Sequence, residues 1–433
     1  MGITLLYGRS GIAIDMPEGA APHVIDKPPF PNVAAPEIQI AEAFARPFGS
    51  DPLGTLCRGR HSACILICDI TRPVPNRLFL RPMIETMIAE GIPAERITVL
   101  IATGLHRPNE GAEMAELVGD PWVLETVSVE NHFALNDEDH VDLGVTKGRG
   151  VPVKLDKRFV EADLRIATGL VEPHFMAGYS GGRKVVAPGV AHHETIRTFH
   201  SARFMEDPAA KECNLDANPL HEEQLEIVRM LGEVYALNTV IDDRRNLVFA
   251  SFGEIIESHL AAVAFVRNYT EIPVGRTFKT VVTSSAGYPL DQTYYQTVKG
   301  MVTPLDILEP GGTLIVASEC AEGIGSSHFR AAQEKLVALG PDAFLDTLLA
   351  KSLADVDEWQ TEMQLKPMRV GRVQLYSGGL SDTDFSVTGV ERVTDLTAAI
   401  AASIARHDDP NVAVIPEGPY VVPLRRAGPL AAE

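Results

Sequence analysis

The 433-residue chain carries 38 basic against 58 acidic side chains, a formal net charge of −20, and 45% of its residues are hydrophobic. A chain this long exceeds one ordinary core, so two domains are expected. The acidity excludes a general nucleic-acid or anionic-membrane surface, since both require a basic face.

Five cysteines (Cys57, Cys64, Cys68, Cys213, Cys320) are scattered and contain no CxxC pair. They indicate neither a disulfide framework nor a structural zinc site, and a reducing cytoplasm fits them best. The opening "MGITLLYGRSG" lacks a long apolar run, and position 6 is Leu where a myristoylation signal needs Ser or Thr. No stretch approaches the roughly 20 apolar residues of a membrane span.

In chain order, short apolar runs at 63–69 (ACILICD), 96–104 (RITVLIATG), 125–131 (ETVSVEN), 162–169 (ADLRIATG) and 235–241 (YALNTVI) predict buried parallel strands. Helical patterns lie between them at 77–91 and 218–232, the second opening on a capping Asn and closing on Gly. A helix over 252–273, ending before Pro273, is the expected connector. A second series follows, with strands near 279, at 311–318, 371–377 and 411–417, and an Ala-rich helix at 392–407. The expectation is two α/β domains with mainly parallel, Rossmann-like sheets, 1–268 and 269–433, and an active site in the cleft between them.

Ile-Ala-Thr-Gly-Leu occurs twice, at 101–105 and 166–170, each time ending a predicted strand and followed within a few residues by a histidine, His106 or His174. The stretch "ICDITRPVP" puts Asp69 and Arg72 at a third strand end, where ligands of open α/β sheets bind. Good turn chemistry alone also accounts for the repeated ATGL.

The turn "GYSGGRK" offers Gly178, Gly181 and Gly182 as an anion cradle, with Arg183 and Lys184 supplying charge. It is neither a Walker A loop nor a GxGxxG fingerprint, so a conventional NAD dehydrogenase is disfavoured. His192, His193 and His200 raise the question of a metal, but "HHETIR" does not have HExxH spacing. His192 and His193 read as orienting or solvating the start of a helix, while a three-histidine site, or His200 as a single ligand completed by something other than protein, stay open as alternatives. Further on, Gln296 and Lys299 stand three apart on one helical face, able to hold a carboxylate together. Trp359 reads as core or as an active-site lid. The loop "ECAEGIGSSHFR" (319–330) offers Ser326, Ser327, His328 and Arg330 to the distal end of a substrate.

Taken together, "DITRPVP", "ATGLHRP", "EPHFMAGYSGGRKVVAPGVAHHETI…H" and "GYPLDQTYYQTVKGM" resemble the nickel-dependent lactate racemase family, over about residues 60 to 360. The resemblance implies a racemase or epimerase that inverts C2 of a 2-hydroxy acid by reversible hydride transfer through a 2-keto acid. It implies nickel in a pincer nucleotide, pyridinium-3-thioamide-5-thiocarboxylic acid mononucleotide, covalently attached to Lys184, with His200 as metal ligand. Asp69, Thr71, Arg72 and Tyr295 match cofactor-contacting positions. His106 and His174 match the paired general acid/bases, and Gln296, Lys299, Arg72 and Trp359 the substrate-binding positions. Cofactor maturation enzymes are the implied partners, beside a small 2-hydroxycarboxylate such as lactate, malate or gluconate. Two other readings remain open: a metal-assisted racemase that removes the Cα hydrogen as a proton, and a non-enzymatic nickel or nucleotide carrier.

Overall fold

Residues 2–426 are described by the computed structural model, which divides into two units. The apolar runs become interior strands because both sheet faces are covered. In Ala63–Cys68 every residue but Cys68 is buried, and in Ile97–Ala102 every residue but Thr98 and Ala102. Such strands cannot show polar alternation.

The first unit comprises Pro29–Phe199 and Ala209–Asn268. Its six-stranded sheet runs, in spatial order, Leu247–Glu254, Tyr235–Ile241, Leu164–Leu170, Ala63–Cys68, Ile97–Ala102 and Ser128–Asn131. All pairs are parallel except the antiparallel pair at the Leu247–Glu254 edge. Renumbered along the chain, this is the order 6-5-4-1-2-3 of a doubly wound sheet, with a reversal between the fourth and first strands. One face is closed by Leu80, Met83, Ile84 and Met87 of helix Leu80–Ala89, packed against Ile65, Ile67, Val99 and Ile101. Helix Pro219–Leu231 is capped as expected: Asn218 Oδ1 accepts from the N–H groups of Leu220 and His221, and Gly232 ends the helix.

The second unit holds the chain up to Pro28, His200–Pro208, and the chain from Tyr269 onward. Its parallel sheet has the order Glu391–Val393, Arg372–Tyr376, Leu308–Ala317, Phe278–Ser284, Asn411–Ile415 and Ala21–Val24. Val282, Ile315, Val412 and Val414 pack with Leu396 and Ile400 of helix Leu396–His407 and with Ile3, Leu5 and Ile14 of an N-terminal hairpin.

The 268/269 division is present in the structure, but residues up to 28 and the segment 200–208 lie with the second unit, against the expected 1–268 domain. The cause is pairing: Ala21–Val24 forms a ladder with Asn411–Ile415, a partner some 390 residues away that no local pattern announces. The connector helix is shorter than expected, Ile255–Thr270. Phe252 and Glu254 belong to the edge strand, and Pro273 sits in a strand, Glu271–Val274, paired with Val422–Arg425. Likewise Arg392 belongs to a short strand, and the Ala-rich helix starts at Leu396 with Asp395 as its cap.

Candidate active site

In the first unit, Ala63–Cys68 and Leu164–Leu170 are the neighbours at which strand order reverses. A crevice opens beyond their carboxyl ends in such sheets. Asp69 follows the first of them and is 5% exposed. Its Oδ1 accepts from Thr71 N–H at 3.0 Å and Thr71 Oγ1 at 2.5 Å, and its Oδ2 lies 2.5 Å from His106 Nδ1. Burial pushes the Asp69 carboxyl up, but the His106 and Thr71 hydrogen bonds and the His106 and Arg72 charges outweigh it, and the net shift is downward. An ionised Asp69 fixes the proton of His106 on Nδ1, which leaves Nε2 as the basic nitrogen. The His106 side chain is 57% exposed, so that nitrogen is accessible.

His174 comes from the chain after Leu164–Leu170, in a two-residue ladder with Gly178–Tyr179. Its Nδ1 accepts from Met176 N–H at 3.3 Å and Ala177 N–H at 3.2 Å, so the neutral ring carries its proton on Nε2. The two imidazoles are therefore set differently, one as acceptor and one as donor. Gly178 and Gly181 have φ of +76° and +77°. A Cβ on Gly178 would lie 2.3 Å from Asn214 O, and one on Gly181 would lie 2.6 Å from Val171 Cγ2. The turn needs glycine to pack on its own unit.

One of the three glycine donors expected to form an anion cradle is turned inward. Gly182 N–H donates to Asn238 Oδ1 at 2.9 Å, Ser180 N–H to Glu172 O, and Lys184 N–H to Gly181 O. Those groups are committed within the protein. Nor does Arg183 offer surface charge: it is 1% exposed, donates to Ala177 O and His259 Nε2 at 2.8 Å each, and burial pushes its guanidinium down to about 9. It braces the turn from inside. Lys184, the next residue, is partly exposed in the short helix Arg183–Val186.

In the second unit, Thr293 caps helix Tyr294–Val302, which carries Tyr295, Gln296 and Lys299. The Oε1 of the Gln296 amide is buried without a hydrogen-bond partner. A buried polar group left open in this way is available to a partner that the protein itself does not supply. Half a turn of the amide presents N–H instead of oxygen. Tyr295 O accepts from Gln360 Nε2 at 2.6 Å, tying this helix to helix Glu358–Val370. Trp359, beside Gln360, is 8% exposed and stacks on His200 with ring centroids 4.8 Å apart. Trp359 is thus a buried wall against the imidazole of His200.

Two residues of the 319–330 loop have structural partners. Ser326 Oγ caps helix Ser327–Leu339 through Phe329 N–H and donates to Asp357, and Arg330 is ion-paired with Asp384. The loop nevertheless borders the candidate site helix: Tyr295 N–H donates to Ile324 O, and the Tyr295 ring meets Phe329 edge-on at 5.1 Å. Two features escaped the sequence reading. Asp69 holds His106 in place, and Glu362 is buried one turn beyond Trp359 with an unpartnered Oε1.

The fold and the two differently set imidazoles define a doubly wound α/β protein with acid/base groups at its strand ends. The lactate racemase N-terminal domain profile matches residues 7–212, and the lactate racemase C-terminal domain profile matches residues 276–422. The lactate racemase of Thermoanaerobacterium thermosaccharolyticum is 31% identical over 426 residues, covering 97% of this chain and 98% of that protein. That of Lactiplantibacillus plantarum is 29% identical over 429 residues, covering 98% and 99%. The chain belongs to the lactate racemase family. The solved apoprotein of the Thermoanaerobacterium enzyme superposes with a TM-score of 0.89 at 28% identity, over 98% of this chain and 100% of that one. A Thermotoga maritima protein shares the fold alone, with a TM-score of 0.63 at 17% identity over 89% and 97%. No helix among the described residues is long and apolar enough to cross a membrane.

Proposed function

We propose that this protein is a racemase that inverts C2 of a 2-hydroxy acid, with lactate as the first substrate to test. The observation that carries the reading is the contact of Asp69 Oδ2 with His106 Nδ1 at a strand end flanking the sheet's reversal point. An imidazole held in one tautomer by a buried carboxylate is a competent general base.

In this reading His106 accepts the substrate hydroxyl proton at Nε2, and Asp69 stabilises the imidazolium that forms. His174 presents its Nε2–H to the substrate oxygen. Inversion starting from the other enantiomer requires His174 to accept a proton in its turn. Its Nδ1 contacts, at 3.2 and 3.3 Å, are long, and each such bond is worth only about 1 kcal/mol net, so the ring gives them up at small cost. Lys299 and Gln296 take the carboxylate, the one as a point charge and the other through its amide, and Arg72 adds positive charge beside Asp69. Trp359 shields His200 from water.

The residues also suit a nickel pincer nucleotide. Among the described residues, the group of three or more His, Cys, Asp or Glu side chains with metal-ligand spacing does not include His200. His200 is a buried imidazole outside that group, a donor of the kind nickel takes beside an organic ligand, and Lys184 is an amine on a glycine-braced turn. When bound, that group supplies an acceptor for the C2 hydrogen together with its electron pair. This avoids building a carbanion beside a carboxylate.

The test is the single variant His106→Ala in cofactor-matured protein. Lactate racemisation is expected to fall by roughly 10²- to 10⁴-fold, the usual worth of a general base. Activity within a few-fold of wild type would remove the reading.

A further inference from the structure

His192 and His193, left over from the candidate catalytic site, lie in a row of four imidazoles. Ring centroids are 5.1 Å apart for His132 and His140, 4.9 Å for His140 and His192, and 4.2 Å for His192 and His193. One end of the row is internally satisfied: His132 Nδ1 faces Asp156 Oδ2 and its Nε2 faces Ala191 O, both at 3.1 Å. The other end is not. His193 Nδ1 and His140 Nε2 are buried ring nitrogens without hydrogen-bond partners. His192 lies between these two rings, so the orphan at the open end of the row is that of His193, a buried polar atom whose partner has to be accounted for.

A carboxylate completes the set. Asp137 Oδ1 is 2.8 Å from His192 Nε2, and one ligand atom from each of Asp137, His192 and His193 lies within 4.8 Å of the others. The backbone holds the pair of histidines from both sides, His192 N–H donating to Lys154 O and His193 N–H to Ala134 O. Glu194, the remaining nearby carboxylate, is occupied by Lys154 at 2.5 Å, its Oε2 standing 3.8 Å from His192 Nδ1.

We propose that Asp137, His192 and His193 form a metal site, separate from His200, for a borderline divalent transition ion such as zinc. Two imidazoles and one carboxylate with water in the open position suit that ion better than magnesium or calcium, which prefer all-oxygen shells. Bound there, the ion fastens the 134–139 loop to the first turn of helix His193–Phe199, the helix that leads directly to His200 in the chain.

The experiment uses chelator-stripped apoprotein, titrated with zinc against a chromogenic chelator, and a thermal melt with zinc or magnesium. Wild type and His200→Ala are expected to bind one tight equivalent of zinc. Asp137→Asn and His193→Ala are expected to bind at least tenfold more weakly. Zinc, but not magnesium, should raise the melting temperature of wild type and not of Asp137→Asn. Asp137 is 90% exposed, so Asp137→Asn keeps the fold, and matching circular dichroism without metal verifies this even if His193→Ala misfolds. Equal affinities in wild type and Asp137→Asn, or an adventitious ion only, weak and non-stoichiometric in every protein, would overturn the proposal. The readout is binding, so it stands apart from the fate of the racemase reading.

Discussion

At the scale of single residues, the account turns on Asp69. It sits at the end of an interior strand, where burial alone would favour its neutral form, and it is nevertheless held ionised by His106, Thr71 and Arg72. An ionised carboxylate there does two things: it chooses the tautomer of His106 and it stabilises the imidazolium once a proton arrives. Asp69→Asn keeps the size and an acceptor oxygen but removes the charge. It is expected to lower kcat by about 10- to 100-fold with little change in KM, because the interaction strengthens only as the imidazolium forms. An unchanged kcat would show that Asp69 merely packs. The sequence made His106, His174 and Asp69 visible as residues beyond strand ends, because Gly-rich reversals after apolar runs are local patterns. It did not show that Asp69 pairs with His106, since 37 residues separate them and only the parallel register of Ala63–Cys68 with Ile97–Ala102 brings them together.

Among elements, helix Glu358–Val370 is the least ordinary, because it buries ionisable groups beside the wall of His200. Glu362 is 1% exposed, and burial, with the charge of Glu206 adding to it, pushes its carboxyl up to about 8. An unfolded glutamate titrates near about 4.3, so between about pH 4.3 and 8 the folded state holds a proton that the unfolded chain has released. The neutral acid is what the fold accommodates, and stability therefore falls as pH rises through that window. Glu362→Gln cannot ionise. Between pH 6 and pH 8 its melting temperature is expected to fall less than that of wild type, with a relative gain at pH 8 on the order of 1 to 2 kcal/mol. Parallel pH profiles would contradict this. The same segment shows the limits of pattern reading: "DEWQTEMQLK" looks like a solvated stretch, yet Trp359, Gln360, Glu362 and Gln364 are all buried. Their burial comes from packing against helices such as Tyr294–Val302 and Ser327–Leu339, which a polar sequence does not reveal. The interior strands, by contrast, were legible because full burial on two faces demands continuous apolar runs. The antiparallel pairing of His140–Val145 with Pro152–Asp156 was not, because the first of these strands is largely solvent-facing and lacks such a run.

For the molecule as a whole, the consequential departure from the sequence reading is the place of the N-terminus. Ile3, Leu5 and Ile14 fill the core of the second unit, and Ala21–Val24 covers the edge of Asn411–Ile415. Deleting residues 2–28 is expected to lower hydrogen-exchange protection at Val412–Val414 while leaving Ile65–Ile67 in the first unit close to its wild-type value. Equal loss in both strands would contradict the division into units. Similarity to lactate racemases runs along nearly the full chain. What has to be established is how the hydrogen at C2 travels. The direct measurement is incubation of cofactor-matured protein with lactate deuterated at C2 in ordinary water, followed by mass and chiral analysis of the product. Inversion with the deuterium still on C2 is the predicted result; inversion with deuterium lost to solvent would contradict the account and point to removal of the hydrogen as a proton.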